Sequence, residues 1–177
     1  RRKGFLDGVV ISGGEPTLHA DLETLCDKLK NLGFPIKVDT NGSRPRVIRN
    51  LIRQGLVDYV AMDIKTVPFE YAALTGSGFD PKSIPESIRI IMESGIDYEF
   101  RTTCIKPLVD ENVVRNISEL IEGSTLYALQ RFRSDKVLKP EFFGCGAAGG
   151  NGSGLSESEM SRLHDIASSF ARSCIVR

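Results

Sequence analysis

Apolar, β-branched runs recur along the chain and alternate with stretches of helical spacing. Gly8–Ser12, Ile36–Thr40, Val57–Ile64, Asp97–Ile105 and Thr125–Phe132 read as strands. Between them, Leu18, Leu22, Leu25, Leu29 and Leu32 fall on one helical face, as do Ile84, Ile88 and Ile91, and Val113, Ile117 and Leu120. Gly33, Gly55, Gly95 and Gly123 each follow such a stretch and precede a strand, where a glycine in the left-handed conformation ends a helix. Pro81 suits a first helical turn, and Ser156 with Glu159 has capping-box spacing. A last amphipathic helix is expected over Ser156–Phe170, with Leu163, Ile166 and Phe170 on its apolar side, then a short strand at Cys174–Arg177.

Strand–helix units in series predict an α/β fold with a parallel sheet and helices outside it. An open doubly wound sheet and a partial β/α barrel both fit. A complete eight-fold barrel needs about 250 residues, and the chain has 177. The stretch Phe143–Gly154, FGCGAAGGNGSG, breaks the pattern and reads as a Gly-rich loop. The expected division is a core over 1–143, a loop over 144–154, and a C-terminal helix and strand over 155–177.

Composition changes this picture little. The formal net charge is zero, which predicts no pull toward nucleic acid or an anionic membrane. No apolar run approaches the roughly 20 residues of a membrane span. Cys26, Cys104, Cys145 and Cys174 form no C-x-x-C pair and lie at no zinc-ligand spacing, so reduced thiols in a cytoplasmic protein are expected. The chain begins Arg1-Arg2-Lys3 with no signal peptide, and a segment removed from its front is expected.

In parallel sheets ligands bind at the carboxyl ends of the strands. Here every such end is polar: Ser12-Gly13-Gly14-Glu15-Pro16, Asp39-Thr40-Asn41-Gly42, Asp63 with Lys65, Arg101-Thr102-Thr103, and Gln130-Arg131. Residues two apart share a strand face, so Asp63 sides with Lys65, Asp39 with Asn41 and Arg101 with Thr103. Taken singly, Gly-Gly-Glu-Pro is a strand-to-helix turn, Asn41-Gly42 a turn signal, and Asp63 with Lys65 a salt bridge at a sheet rim. Their repetition at one end of successive strands predicts a single mouth that holds a ligand bearing both charges. His19 and His164 are isolated and read as surface or core residues.

The ordered set ISGGEP, VDTNG, YVAMDIK, the arginine of EFRTT and YALQRF resembles the radical S-adenosylmethionine enzymes, and among these the activating enzymes of glycyl radical enzymes. PFEYAALTGSG and LQRFRSDKVLKPEF resemble most the activating proteins of anaerobic ribonucleotide reductase, with pyruvate formate-lyase activating enzyme the near alternative. The resemblance runs from about Phe5 to Phe143. It implies a partial barrel of six strand–helix units in which Gly13, Gly14 and Glu15 hold the cofactor's amino group, with Pro16 and Asn41 among the cofactor-binding residues. Asp39, Thr40 and Asp63 would take a monovalent cation beside its carboxylate. Lys65 and Arg101 would face that carboxylate, and Gln130 would approach the ribose and adenine. The family's C-x-x-x-C-x-x-C loop, which holds a [4Fe–4S] cluster, is absent from this sequence, so the first strand and cluster loop are expected upstream and the chain as given is expected to be inactive. In full-length form the implied reaction is reductive cleavage of S-adenosylmethionine and removal of a hydrogen atom from a glycine of the partner enzyme, with a flavodoxin or ferredoxin-like electron donor. Without its first strand the chain is expected to self-associate through a bare sheet edge. Two other readings stand beside this one: a β/α-barrel lyase or aldolase with Lys65 as a Schiff-base amine, against which the nearby Asp63 argues, and a cluster-less binding module.

Overall fold

The computed structural model describes residues 6–67, 80–133 and 154–177. Six parallel strands alternate with helices in a partial-barrel-like α/β fold, arranged as two compact units. PFEYAALTGSG, Cys145 and nearly all of the Gly-rich stretch lie outside the described residues.

The first unit takes in residues 1–64 and 68–99. Its strands are β1 (Val9–Ile11), β2 (Ile36–Thr40) and β3 (Tyr59–Asp63), with the first three residues of β4 (Asp97–Cys104). β1 pairs with β2 and β2 with β3, both parallel, so consecutive strands are neighbours without the reversal of order that a doubly wound sheet requires. The crossovers carry α1 (Leu22–Asn31) and α2 (Pro45–Arg53), and α3 (Ser83–Met92) follows β3. β2 alternates cleanly. Ile36, Val38 and Thr40 are buried, and Lys37 and Asp39 on the opposite face are half-buried. Ile48 and Leu51 of α2 and Ile84, Ile88 and Ile91 of α3 complete an apolar layer, each contributing about 1.5–3 kcal/mol by leaving water. At the start of β2, Asp58 accepts from Ile36 N at 2.7 Å and from Lys30 Nζ at 2.7 Å. Burial opposes ionisation of Asp58, but those hydrogen bonds and the Lys30 charge hold its carboxyl below the ordinary value.

The second unit takes in residues 65–67 and 100–177, with the rest of β4, then α4 (Glu111–Leu120), β5 (Tyr127–Arg131), α5 (Glu157–Ser168) and β6 (Cys174–Val176). β5 pairs in parallel with β4 on one side and β6 on the other. The buried Tyr127 hydroxyl donates to Thr102 Oγ1 at 2.8 Å, which satisfies a polar group among apolar neighbours. α5 opens with the expected capping box: Ser156 Oγ accepts from Glu159 N, and the Glu159 carboxylate accepts from Ser156 N. Lys106 adds an ion pair to Glu159 at 2.7 Å.

Several sequence expectations shift in detail. Pro16–Leu18 forms a 3₁₀ turn and α1 begins only at Leu22, so the expected leucine face does not form. Leu22 and Cys26 pack inward, while Leu18, Leu25 and Leu32 are 45–57% exposed. In α4 the buried face is Val114, Ile117, Ser118 and Ile121, turned by one residue, and Leu120 is exposed. α5 likewise buries Met160, Leu163 and Ala167 in place of Ile166 and Phe170. Pro81 precedes α3, whose first turn carries Pro85 instead. The four helix-stop glycines all take positive φ.

Candidate functional site

Where β1 ends, Gly13 and Gly14 adopt φ values of +99° and +53°, a region that side chains with a Cβ rarely enter. Both are exposed, and open space surrounds the place where a Cβ would project. This reversal turns the chain so that Glu15 points inward, 7% exposed. Its Oε1 accepts from Thr17 N (3.1 Å), Thr17 Oγ1 (2.5 Å) and Thr40 Oγ1 (2.8 Å), and its Oε2 accepts from Asn41 N (2.6 Å). Glu15 thus caps the 3₁₀ turn and ties the end of β1 to the end of β2. A carboxylate offers about four lone-pair sites, two per oxygen, so Oε2 keeps capacity for one further donor.

The network continues through β2. Thr40 Oγ1 accepts from Gly42 N at 3.1 Å, Asn41 Oδ1 accepts from Ser43 N at 2.9 Å, and the Gly42 carbonyl accepts from the buried Ser87 hydroxyl of α3 at 2.7 Å. Gly42 has φ +77°, and a Cβ there would fall on Met62 Cε. The Asp-Thr-Asn-Gly turn is therefore held from three sides: by Glu15, by Ser87 and by Met62.

Asp39 and Asp63 lie on one face of the sheet. Asp39 stands opposite Ala61 in the parallel register, and Asp63 follows Ala61 by two. Both are half-buried. Sequence reasoning missed their neighbour. Lys37, two residues before Asp39, places Nζ 2.9 Å from Glu99 Oε1, 4.0 Å from Asp39 Oδ1 and 4.8 Å from the centre of the Tyr59 ring. Glu99 is 1% exposed, so this contact compensates a carboxylate taken out of water. The signal was present in the strand parity of Lys37 with Asp39 and of Glu99 with Arg101.

The remaining expected residues belong to the second unit. Arg101 stands opposite Ala128 and Thr103 opposite Gln130, so Arg101 and Gln130 share a face and both are half-buried. Lys65 differs from expectation. β3 stops at Asp63, and Lys65 lies beyond the strand and exposed, because the chain leaves the sheet at Ile64. The burial that a Schiff-base amine requires is absent. A cavity of about 370 Å³ near the ends of β4 and β5 is lined by Cys104, Lys106, Arg131 and Glu159, and not by Arg101 or Gln130. Its charges are paired internally, Lys106 with Glu159 and Arg131 with Glu157 at 2.6 Å.

The profile of the radical SAM superfamily matches residues 1–120. This chain belongs to that superfamily. It is 36% identical over 143 residues, 78% of the chain and 60% of the relative, to a Methanocaldococcus jannaschii protein whose name assigns it as a glycyl-radical enzyme activating enzyme. It is also 36% identical over 131 residues, 72% of the chain and 49% of the relative, to the 7-carboxy-7-deazaguanine synthase of Thermococcus kodakarensis. The chain thus spans about half to three fifths of the length of these relatives. Among solved structures, a domain of the pyruvate-formate lyase-activating enzyme of Bacteroides vulgatus superposes with a TM-score of 0.72, covering 97% of this chain and 99% of that one at 17% identity, a likeness of fold.

Membership in the superfamily implies S-adenosylmethionine and a [4Fe–4S] cluster. The turn at Gly13-Gly14 and the spare capacity of Glu15 Oε2 fit an ammonium group. The cluster does not fit the described residues. Cys26 and Cys104 are fully buried, and burial first of all pushes both thiols up, Cys104 to about 12. A cluster ligand is a thiolate, and no trio of His, Cys, Asp or Glu among the described residues is placed to hold a metal ion. No described helix is long and apolar enough to cross a membrane.

Proposed function

We infer that this chain is the cofactor-holding portion of an activating enzyme for a glycyl radical protein. The observation that carries the reading is the Glu15-centred cradle at the ends of β1 and β2, in a chain that shares 36% identity with a relative of that name. S-adenosylmethionine, when bound, supplies the hydrogen-abstracting chemistry, and the protein's part is orientation and exclusion of water. Gly13 and Gly14 let the backbone approach the methionine moiety, and Glu15 Oε2 accepts its ammonium, with Pro16 and Asn41 closing the turn on either side. Asp39, Thr40 and Asp63 would hold a monovalent cation against the carboxylate. None of these groups acts as a general acid or base.

The partner in this reading is an anaerobic ribonucleotide reductase or a pyruvate formate-lyase, with a flavodoxin or ferredoxin-like protein as electron donor. The test is electron paramagnetic resonance of each candidate partner after anaerobic incubation with the complete protein, S-adenosylmethionine and reductant. A glycyl radical doublet on one partner, lost with Glu15→Gln, is expected. Cleavage of S-adenosylmethionine with no radical on either partner refutes the activating role. The Thermococcus kodakarensis relative supports a second reading, an enzyme of the same superfamily acting on a small molecule, and that result would select it.

A further inference from the structure

Just past the Asp39–Gly42 turn, a cavity of about 530 Å³ opens in the first unit beside the N-terminus of α2 and the start of α3. Arg44 and Arg46 line it, and neither makes an ion pair or side-chain hydrogen bond with any described residue. Of the two acids in its wall, Glu86 is ion-paired with Arg49 at 2.6 Å, and Asp80 Oδ1 accepts only the neutral Lys82 N–H at 3.0 Å. The cavity therefore sets two arginines without an ion pair against one acid without one, among the described residues.

Two further features point the same way. α2 has no acidic residue in its first turn, and its N-cap, Arg44, supplies no side-chain acceptor. Val47 N and Ile48 N both donate to the Arg44 carbonyl, Pro45 has no N–H, and the Arg46 N–H remains at the positive end of the helix dipole. The second feature is Ser83, which lines the cavity at 9% exposure. Its side chain is buried except toward the cavity, and its hydroxyl has no partner among the described residues. Two exposed arginines, a helix N–H and the Ser83 hydroxyl border one space, and all four can donate.

We propose that this cavity binds the phosphate group of a small phosphorylated molecule. A tetrahedral dianion has the acceptors to satisfy every one of these donors, and arginine forks match phosphate geometry. A cleft of roughly 300–1,000 Å³ is typical for small ligands, and this one exceeds what a bare phosphate fills, leaving room for the rest of the molecule against Val47 and Asn50. Gly13, Gly14 and Glu15 are not among its lining residues, and it does not depend on the activating role.

Calorimetric titration of the 177-residue chain with glycerol 3-phosphate, inorganic phosphate and, at matched ionic strength, acetate tests the proposal. Saturable binding of both phosphates and none of acetate is expected, with the ester at least as tight as the free ion. Arg46→Gln and Ser83→Ala should each weaken phosphate binding about 10-fold or more, as loss of one hydrogen bond to a charged group predicts. Without phosphate, Ser83→Ala should leave the melting temperature unchanged or raised, and it should lessen the phosphate-dependent rise seen in the wild type. No saturation by 20 mM phosphate (~100 times a mid-range small-ligand Kd), equal binding of acetate, or Arg46→Gln and Ser83→Ala variants that bind within about twofold of the wild type would each overturn it.

Discussion

Replacing Glu15 by glutamine changes one oxygen to an amide and removes one charge, and the structure indicates where the loss falls. If the Gln carbonyl takes the place of Oε1, the bonds from Thr17 N, Thr17 Oγ1 and Thr40 Oγ1 persist in weaker, neutral form. The amide nitrogen then confronts Asn41 N, donor against donor, where a 2.6 Å charge-assisted bond stood. The flipped rotamer is worse, since it sets the amide against three donors. A hydrogen bond to a charged group contributes about 1.5–3 kcal/mol, and stranding the half-buried Asn41 donor adds to the loss, so Glu15→Gln should destabilise the chain by about 2–3 kcal/mol. Thr40→Val removes one donor to Oε1 and strands Gly42 N, for about 1–2 kcal/mol. Because both substitutions act on one network, the double variant should fall short of their sum by about 0.5 kcal/mol or more. Urea unfolding followed by circular dichroism measures all three. A loss below about 1 kcal/mol for Glu15→Gln, or strict additivity with Thr40→Val, would show that the carboxylate does not organise the turn.

Gly42→Ala should cost about 1–2 kcal/mol for positive φ and about 1–3 kcal/mol more for the collision with Met62. Gly55→Ala, at φ +65° with open space around it, isolates the first contribution, and Met62→Leu should restore part of the second in urea unfolding. If Gly42→Ala and Gly55→Ala cost the same, the packing argument fails. Glu159 is held to about 2, against an ordinary 4.5, by the Lys106 hydrogen bond and then by Ser156. Its contribution is therefore complete above the ordinary value and disappears as pH falls from there toward 2. The wild-type unfolding midpoint should drop more than that of Glu159→Gln across this window, and parallel curves would refute the cap's ionic part. Val10 of β1 is 59% exposed, and β1 has a strand neighbour on one side only among the described residues. Val10→Lys should reduce concentration-dependent association in sedimentation velocity, and a wild-type chain that stays monomeric at high concentration would remove the premise.

The strands were largely legible because their pattern is local. Ile36–Thr40 matches β2 at both ends, and the other strands differ only by one or two residues at their margins. Helix faces were read less well. A row of leucines suggests a stripe, but Leu18 belongs to a 3₁₀ turn, and the true start at Leu22 sets which residues face inward. The capping box at Ser156 was legible since both partners lie within one turn. The acceptor role of Glu15 was not, because its partners Thr40 and Asn41 stand 25 and 26 residues away. Lys37 and Glu99, 62 residues apart, were hidden for the same reason, although their strand parity marked the face they share. Which strand ends are polar can be read along the chain, but which polar groups already satisfy one another depends on the fold.

That Glu15 is bonded to the turn after β2 has a consequence for how the cradle comes into being. Its bonds close only when β1 and β2 are in register, so the Asn41 amide should exchange its proton with solvent as slowly as the ladder between those strands, with no ligand present. The entropy of arranging the turn is then spent during folding, before any ligand arrives. An incoming ammonium would meet an acceptor already oriented by the protein's own donors, and its binding would carry little ordering penalty.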